Sequence, residues 1–197
     1  MATLLENARA AAMIISNFQD YCTNGNNLVI PTGTKNIGMG IFIRQNDSGY
    51  GNTRLQNVSF PSTLESIGYQ SFADNHCITE IVIPHGCKFI YARAFAGCVN
   101  VESISLPNTL EMVYGGSFQP TSALTNFVVE AEFDCNLGTN VIFASANLTT
   151  ESMVAVFNNL KDRTGETAYT LTLGSDNLNK LTAEQIAIAT NKNWNLA

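Results

Sequence analysis

The sequence predicts a repeat solenoid of short parallel β-strands, because five columns of residues recur at one interval of 23 positions. Apolar residues or prolines fill every column, and a period in the twenties is typical of coils that stack on one another. The columns are Leu55, Ile78, Val101 and Leu124; Val58, Ile81, Ile104 and Phe127; Pro61, Pro84 and Pro107; Ile67, Ile90 and Val113; and Phe72, Phe95 and Phe118.

One earlier coil keeps the same internal spacing. Pro31, Ile37 and Phe42 match the next coil but precede it by 30 positions instead of 23. The extra residues fall in a polar, glycine-containing insertion at about 43–54, where we expect a surface loop. The array then holds about four coils between Leu28 and Val129, and such insertions project from one face, which often binds.

Residues 78–95 show how one coil is built. Residues 81–83 predict a short strand that Pro84 ends, because proline cannot donate to a β ladder. Residues 88–91 predict a second short extended piece, after which the chain turns back inward. Stacked at about 4.8 Å, four coils make a body roughly 20 Å tall with two open ends. The predicted inward positions are Ile78, Ile81, Ile83, Cys87, Ile90 and Phe95.

The N-terminal segment, residues 1–27, predicts a helix, because apolar residues recur at helical spacing through residues 4–22. We expect this helix to cap the first coil, with an oligomerisation or attachment helix as the alternative. Glu6 and Arg9 interrupt its apolar run, which is too short for a secretory signal or a membrane span.

The C-terminal segment, residues 149–197, predicts a helix–strand–helix cap over the open end of the solenoid of residues 28–148. A helix with an acidic first turn begins at Thr149 or Thr150. Residues 169–173 alternate between apolar and polar and predict a strand. An uncovered solenoid end would expose strand edges, so covering that end is the expected role.

A capping box predicts the second helix of this segment. Thr182 is followed three residues later by Gln185, the pattern in which each side chain satisfies the other's backbone N–H. The sole tryptophan, Trp194, follows that helix. The sequence is consistent both with a separate C-terminal domain and with a simple cap.

Two sequence motifs recur in the coils: residues 64–68 (LESIG) followed by Ser71-Phe72, and residues 94–98 (AFAGC) followed by residues 101–107 (VESISLP). These motifs resemble the BspA-like, or Treponema-type, bacterial leucine-rich repeats. The resemblance implies a solenoid of the leucine-rich repeat type. It also implies a surface or adhesion protein that binds host or neighbouring-cell ligands, with no shared active site.

The composition excludes nucleic acid as a partner. The net charge is −6 and the pI is near 4.8, whereas binding to phosphate backbones needs basic patches. Charged residues make up only 13% of the chain, against about 25% in typical domains. Asn, Ser and Thr fill the predicted surface instead, which suits an outward-facing role.

The cysteines and histidines predict neither a metal site nor a catalytic site. Cys87 stands in a leucine column and Cys98 follows an Ala-Phe-x-Gly segment, so we expect reduced core thiols, with one disulfide as the alternative. His76-Cys77 and His85-x-Cys87 offer zinc-ligand types, but the inward Cys87 argues against zinc. We therefore predict no cofactor, no metal and no catalytic residue. The five cysteines are Cys22, Cys77, Cys87, Cys98 and Cys135.

Two groups of carboxylates are candidate sites. Glu65 and Glu111 share a column with Lys88 between them, which predicts a charge-balanced cross-strand ladder rather than the paired acids of a glycosidase. A second group alternates on a predicted strand face, where a solvated edge is favoured and a divalent-cation site is the alternative. This second group is Glu130, Glu132 and Asp134.

Two outward columns are candidate ligand-binding surfaces. In one, Tyr91 and Tyr114 would stack one coil apart, with Tyr69 one position out of register. Exposed tyrosines offer apolar area with a polar tip, although packing against the insertion or a cap is the plain alternative. The insertion tip, residues 46–52, is a further candidate. The other column is small and uncharged and consists of Ser59, Val82, Ser105 and Val128.

We therefore expect a non-catalytic recognition or adhesion module that binds a protein or glycan through the solenoid face. It would be exposed on a bacterial surface or a phage particle, without membrane insertion. The absent export signal would reflect a shortened chain, another export route or assembly inside a cell. The alternative is a structural subunit of a phage appendage or extracellular filament, with homo-oligomer, virion or filament partners. An enzyme or metal-dependent protein is a third, disfavoured class.

Overall fold

The structure is a computed structural model, and it describes residues 27–42, 55–135, 137 and 143–197. Short strands come first along the chain, and three helices follow. The elements are β1 Asn27–Val29, β2 Asn36–Ile37, β3 Asn57–Ser59, β4 Ser66–Ile67, β5 Glu80–Val82, β6 Phe89–Ile90, β7 Ser103–Leu106, β8 Met112–Val113, β9 Asn126–Val129, α1 Thr150–Asn159, β10 Tyr169–Leu171, α2 Ser175–Leu178, α3 Ala183–Thr190 and β11 Trp194–Leu196.

Each of the first four coils contributes one strand to each of two sides of the solenoid, and β9 adds a fifth strand to the first of them. On one side, β1 pairs with β3 and β5–β7–β9 form a parallel sheet; on the other, β2–β4–β6–β8 form a four-stranded parallel sheet. We call the outward sides of these two strand sets the first face and the second face. The predicted columns pair in register, as with Ile81 opposite Ile104 and Ile67 opposite Ile90. The predicted solenoid is therefore confirmed.

A stack of phenylalanines runs through the core between the two sides. Phe72 stacks on Phe95 with ring centroids 5.2 Å apart, and Phe95 stacks on Phe118 at 5.6 Å. The stack also includes Phe42 at one end and Phe143 at the other, the latter 25 positions beyond Phe118. All five rings are at most 3% exposed, so the aromatic column is the dry centre of the array.

The C-terminal elements begin where the capping signals predicted. Thr149 caps α1, with its hydroxyl accepting a hydrogen bond from Ser152 N at 3.1 Å. Thr182 caps α3 in a complete capping box, in which Thr182 N donates to the Gln185 side chain at 2.9 Å. Both helix starts are confirmed. Trp194 lies in β11, which pairs in parallel with β10.

Helix α1 packs against β9, the last strand of the first side. The Ser152 hydroxyl bonds to the backbone of Phe127, and Asn159 Nδ2 donates to Val129 O at 2.7 Å. These contacts cover a strand edge that would otherwise be open. None of the three described helices is long and apolar enough to cross a bilayer. The helix predicted for residues 4–22 lies outside the described residues.

The predicted strand face of Glu130, Glu132 and Asp134 is wrong. Strand β9 ends at Val129, and Glu132 has a positive φ of 60°, which turns the chain out of the extended conformation. The turn brings the following residues alongside the end of α1. Asp134 is there ion-paired with Lys161 at 2.9 Å, so these carboxylates do not line one edge.

Candidate functional site

The seven predicted ligand-binding residues lie on two different faces. Tyr91 and Tyr114 directly follow β6 and β8 on the second face, and Tyr69 follows β4 by two residues. The other four belong to strands of the first face, so the predicted set forms two surfaces rather than one. These four are Ser59 in β3, Val82 in β5, Ser105 in β7 and Val128 in β9.

The first face carries a strip in which valines and serines alternate from coil to coil. Ser105 lies between Val82 and Val128 in the strand register, and Val29 lies opposite Ser59. The three valines are 48%, 50% and 42% exposed in chain order. Val29 is absent from the predicted column, although the 30-residue spacing of the first coil places it opposite Ser59. We call the five residues the valine–serine strip.

Uncharged polar side chains flank this strip. These side chains lie two residues before the strip residue of each strand. The Asn57 amide donates to Asn27 Oδ1 at 2.7 Å, and the Asn126 amide donates to Ser103 Oγ at 3.1 Å. Glu80 alone is charged among the outward residues of β1, β3, β5, β7 and β9. The first face is therefore flat, weakly charged and partly apolar.

The second face carries the predicted tyrosine stack, which is confirmed. The rings of Tyr91 and Tyr114 lie 5.3 Å apart at an interplanar angle of 6°, and Phe89 lies 6.4 Å from Tyr91. The two tyrosines are 42% and 41% exposed. Together with the exposed Met39 and Tyr69, they form what we call the tyrosine surface.

Glycines occupy the tyrosine column in the first two coils. Gly38 and Gly68 stand in the positions that Tyr91 and Tyr114 fill in the next two. A Cβ atom on Gly68 would lie 2.5 Å from the Ile37 carbonyl oxygen, so backbone packs on backbone there and no side chain fits. Along this column, the second face is therefore low at Gly38 and Gly68, in the first two coils, and raised by the tyrosine rings in the next two.

Beside this column runs the predicted charge ladder, which is confirmed and one residue longer than predicted. Lys35 Nζ lies 2.7 Å from a Glu65 carboxylate oxygen, and Lys88 Nζ lies 3.2 Å from one of Glu111. All four side chains are about half exposed or more. The hydrogen bond from Lys35 lowers the pKa of Glu65. We call these four residues the charge ladder.

The described cysteines carry free thiols. Burial raises the pKa of Cys87 to about 11 and the pKa values of Cys98 and Cys135 to about 12, whereas Cys77 is exposed. The three buried thiols, with their raised pKa values, behave as small hydrophobic residues rather than as nucleophiles. Cys22 lies outside the described residues.

His85 and Glu130, two candidate metal ligands, are partnered with other protein groups. His85 Nδ1 lies 3.1 Å from Glu130, which also accepts a hydrogen bond from Asn108 N at 3.0 Å. Within residues 27–42, 55–135, 137 and 143–197, no group of His, Cys, Asp and Glu side chains is arranged to hold a metal ion.

Arg163, a buried cation in the C-terminal segment, is also fully paired with other protein groups. The Arg163 side chain is only 6% exposed and is ion-paired with Asp134 and Glu166. Its guanidinium lies 3.6 Å over the ring of Tyr169, and its Nε donates to Thr167 O. This network joins the turn after β9 to the strand β10, and the guanidinium already has partners, so we assign it a structural role rather than a ligand-binding one.

Comparison with known proteins agrees with this architecture. The family model of the BspA type leucine rich repeat region matches residues 45–164 with six copies, more than half of the chain. The matched range extends past Val129, where the predicted four coils end, and beyond the end of α1 at Asn159. No curated protein matches the chain.

Two solved structures are similar to the chain. One is a leucine rich cell surface protein from Faecalibacterium prausnitzii A2-165, with 24% identity, a TM-score of 0.43, and coverage of 54% of this chain and 32% of that one. The other is a leucine rich repeat protein of T. pallidum, with 18% identity, a TM-score of 0.46, and coverage of 75% and 59%. The chain therefore spans less than two thirds of either protein.

Proposed function

The chain belongs to the BspA-type leucine-rich repeat family, and from this premise we propose that it is a non-catalytic recognition module whose valine–serine strip binds a protein. Proteins built on this repeat typically recognise other proteins. The proposal places the ligand on the first face and leaves the second face for another role. It also places the module on a bacterial surface, in keeping with a surface rich in Asn, Ser and Thr.

The observation that carries the proposal is the row of half-exposed valines on a rigid sheet. Val29, Val82 and Val128 are held in hydrogen-bonded parallel strands, so binding need not order them. Covering each exposed half would contribute about 1 kcal/mol. The serines between them and the flanking asparagines offer hydrogen bonds without the cost of desolvating charges.

A double substitution on the strip tests the proposal. Val82→Arg with Val128→Arg adds two charges to the first face, whereas Ser62→Arg with Asn179→Arg adds the same charge at exposed positions elsewhere. Each variant and the wild type would be immobilised and exposed to one extract of bacterial and host surface proteins. Mass spectrometry identifies retained proteins, and interferometry with the purified candidates measures affinity.

We expect a retained protein whose affinity falls at least about tenfold with the valine substitutions and stays unchanged with the control. Equal binding by both variants would overturn the assignment of the strip. An oligosaccharide array probed with the same variants tests the glycan alternative. If the strip binds sugars and no protein, the ligand is a glycan and the proposed protein ligand is wrong. Burial of the strip between copies in an assembled filament would favour the structural-subunit alternative.

A further inference from the structure

The second face presents three columns that flank the strands β2, β4, β6 and β8. One column lies one residue before each strand, and the other two lie one and two residues after it. Their pairing register is fixed by the strands, since Asn36, Ser66, Phe89 and Met112 lie in one row. Each column therefore has four rungs, one per coil. The columns are the charge ladder Lys35, Glu65, Lys88 and Glu111; the column Gly38, Gly68, Tyr91 and Tyr114; and the column Met39, Tyr69, Ala92 and Gly115.

We propose that this face is the contact surface of a homodimer, in which two copies meet about a two-fold axis. The axis runs parallel to the strands and passes between β4 and β6. Rotation about it reverses the order of the coils but leaves each column facing the same column of the other copy. The first rung then faces the partner's fourth rung, and the second faces the partner's third, as an isologous contact requires.

The charge ladder is self-complementary about this axis. Lys35 faces the partner's Glu111, and Glu65 faces the partner's Lys88, so each cation meets a carboxylate. Placing the same rungs opposite each other would instead set lysine against lysine. Exposed ion pairs contribute little affinity, but they select one register over another.

The heights of the tyrosine column are complementary about the same axis. Tyr114 faces the partner's Gly38, and Tyr91 faces the partner's Gly68. The two raised coils of one copy therefore fit over the two low coils of the other. The Tyr91–Tyr114 stack is already formed within each chain, so little freedom is lost on contact.

The third column shows the same relation with the order reversed. Its large side chains lie in the first two coils. Met39 faces the partner's Gly115, and Tyr69 faces the partner's Ala92. Both large residues are exposed in the single chain, at 74% and 38%. Charge and volume, two independent properties, thus agree on one two-fold axis.

The area of the second face determines how strongly we expect the two copies to bind each other. Four strands spaced about 4.8 Å apart and five successive residue positions, from the Lys35 column to the Met39 column, spaced about 3.3 Å apart give a flat footprint of roughly 300 Å². Stable interfaces bury about 800 Å² on each partner, so this dimer is expected to be weak and reversible. The valine–serine strip of each copy stays free, so the dimer does not depend on the proposed recognition function.

Sedimentation equilibrium of the wild type and two ladder variants tests the dimer. An acidic variant, Lys35→Glu with Lys88→Glu, and a basic variant, Glu65→Lys with Glu111→Lys, each make the ladder of one sign. We expect the wild-type mass to rise from one chain to two with concentration. Each variant alone should dimerise at least about tenfold more weakly, and an equimolar mixture should recover the dimer.

The recovery in the mixture also shows that both variants fold. Glu102→Lys with Glu132→Lys is the matched control, because it makes the charge change of the basic variant at exposed residues outside the ladder and should leave dimerisation unchanged. A wild type that stays monomeric at about 1 mM would overturn the proposal. So would variants that dimerise like the wild type, or a mass that grows beyond two chains.

Cross-linking tests the order of the rungs without altering the ladder. In a background with Cys22 and Cys77 changed to serine, chains with Asn36→Cys are mixed with chains carrying Met112→Cys. The two-fold axis brings these positions together, so on oxidation by dissolved oxygen the mixture should form disulfide-linked dimers faster than either chain alone. Faster linking within either single population would overturn the proposed axis.

Discussion

The hydroxyl of Ser152 substitutes for a β-strand beside Phe127. It accepts a hydrogen bond from Phe127 N at 2.7 Å and donates one to Phe127 O at 2.9 Å. Both groups point away from β7, on the outer edge of the last strand of the first side. Because helix α1 covers that edge and excludes water, one serine supplies the donor and acceptor that a further strand would have supplied.

Replacing this serine should therefore cost more than a surface serine would. We expect Ser152→Ala to lower the free energy of unfolding by about 2 to 4 kcal/mol, because it leaves a buried donor and a buried acceptor unpaired. Urea unfolding followed by circular dichroism measures the change. Hydrogen exchange gives a local readout, in which the Phe127 amide should lose protection.

The matched control is Ser62→Ala, since Ser62 is exposed in a turn. It should change stability by less than about 0.5 kcal/mol. Equal effects of the two substitutions, with Phe127 protection retained, would contradict the edge-capping role of Ser152.

The register of the core could be predicted from the sequence because each inward residue in a solenoid repeats at the same place one coil later. Ile81 opposite Ile104 follows directly from their 23-residue spacing. The capping box of Thr182 and Gln185 was equally predictable, because it depends only on contacts within one helical turn. Both signals are periodic or local.

The edge contact of Ser152 had no such signal, since it depends on the angle at which α1 crosses β9. The sequence prediction also did not divide the candidate site between two faces, although Pro84 and Gly86 lie between Val82 and Tyr91 in the chain. Gly86 has a φ of 101°, and the turn there carries the chain from the first side to the second. A turn between two outward residues was the signal that they belong to different faces.

Phe95 is the middle ring of the aromatic stack, 5.2 Å from Phe72 and 5.6 Å from Phe118. We expect Phe95→Ala to cost about 3 to 5 kcal/mol, because it removes contacts on both sides and leaves a cavity. Phe95→Leu keeps most of the volume and should cost less than half as much. Denaturant unfolding measures both, and equal losses would contradict the packing role of the ring.

The thiols should differ in reactivity according to their burial. In a Cys22→Ser background, we expect iodoacetamide to label Cys77 in the native protein. Cys98 and Cys135, whose pKa values burial raises to about 12, should react only after unfolding, as should Cys87. Peptide mass spectrometry over time separates the four sites. Rapid native labelling of Cys98 would contradict its place in the core.

Glu130 should make stability depend on pH in the acid range. Asn108 N donates to its carboxylate and His85 lies beside it, so the pKa of Glu130 is below its ordinary value of 4.5. The folded state therefore favours the ionised carboxylate. Its stabilising effect is complete above the ordinary pKa and is lost as the pH falls through the lower folded pKa.

Glu130→Gln should remove this dependence. Between about pH 6 and about pH 3, its urea midpoint should fall less steeply than that of the wild type, so the two curves converge in acid. Glu132→Gln, which removes an exposed carboxylate two residues along the chain, should keep the wild-type slope. A constant separation between the Glu130→Gln and wild-type curves would show that ionisation of Glu130 is not coupled to folding.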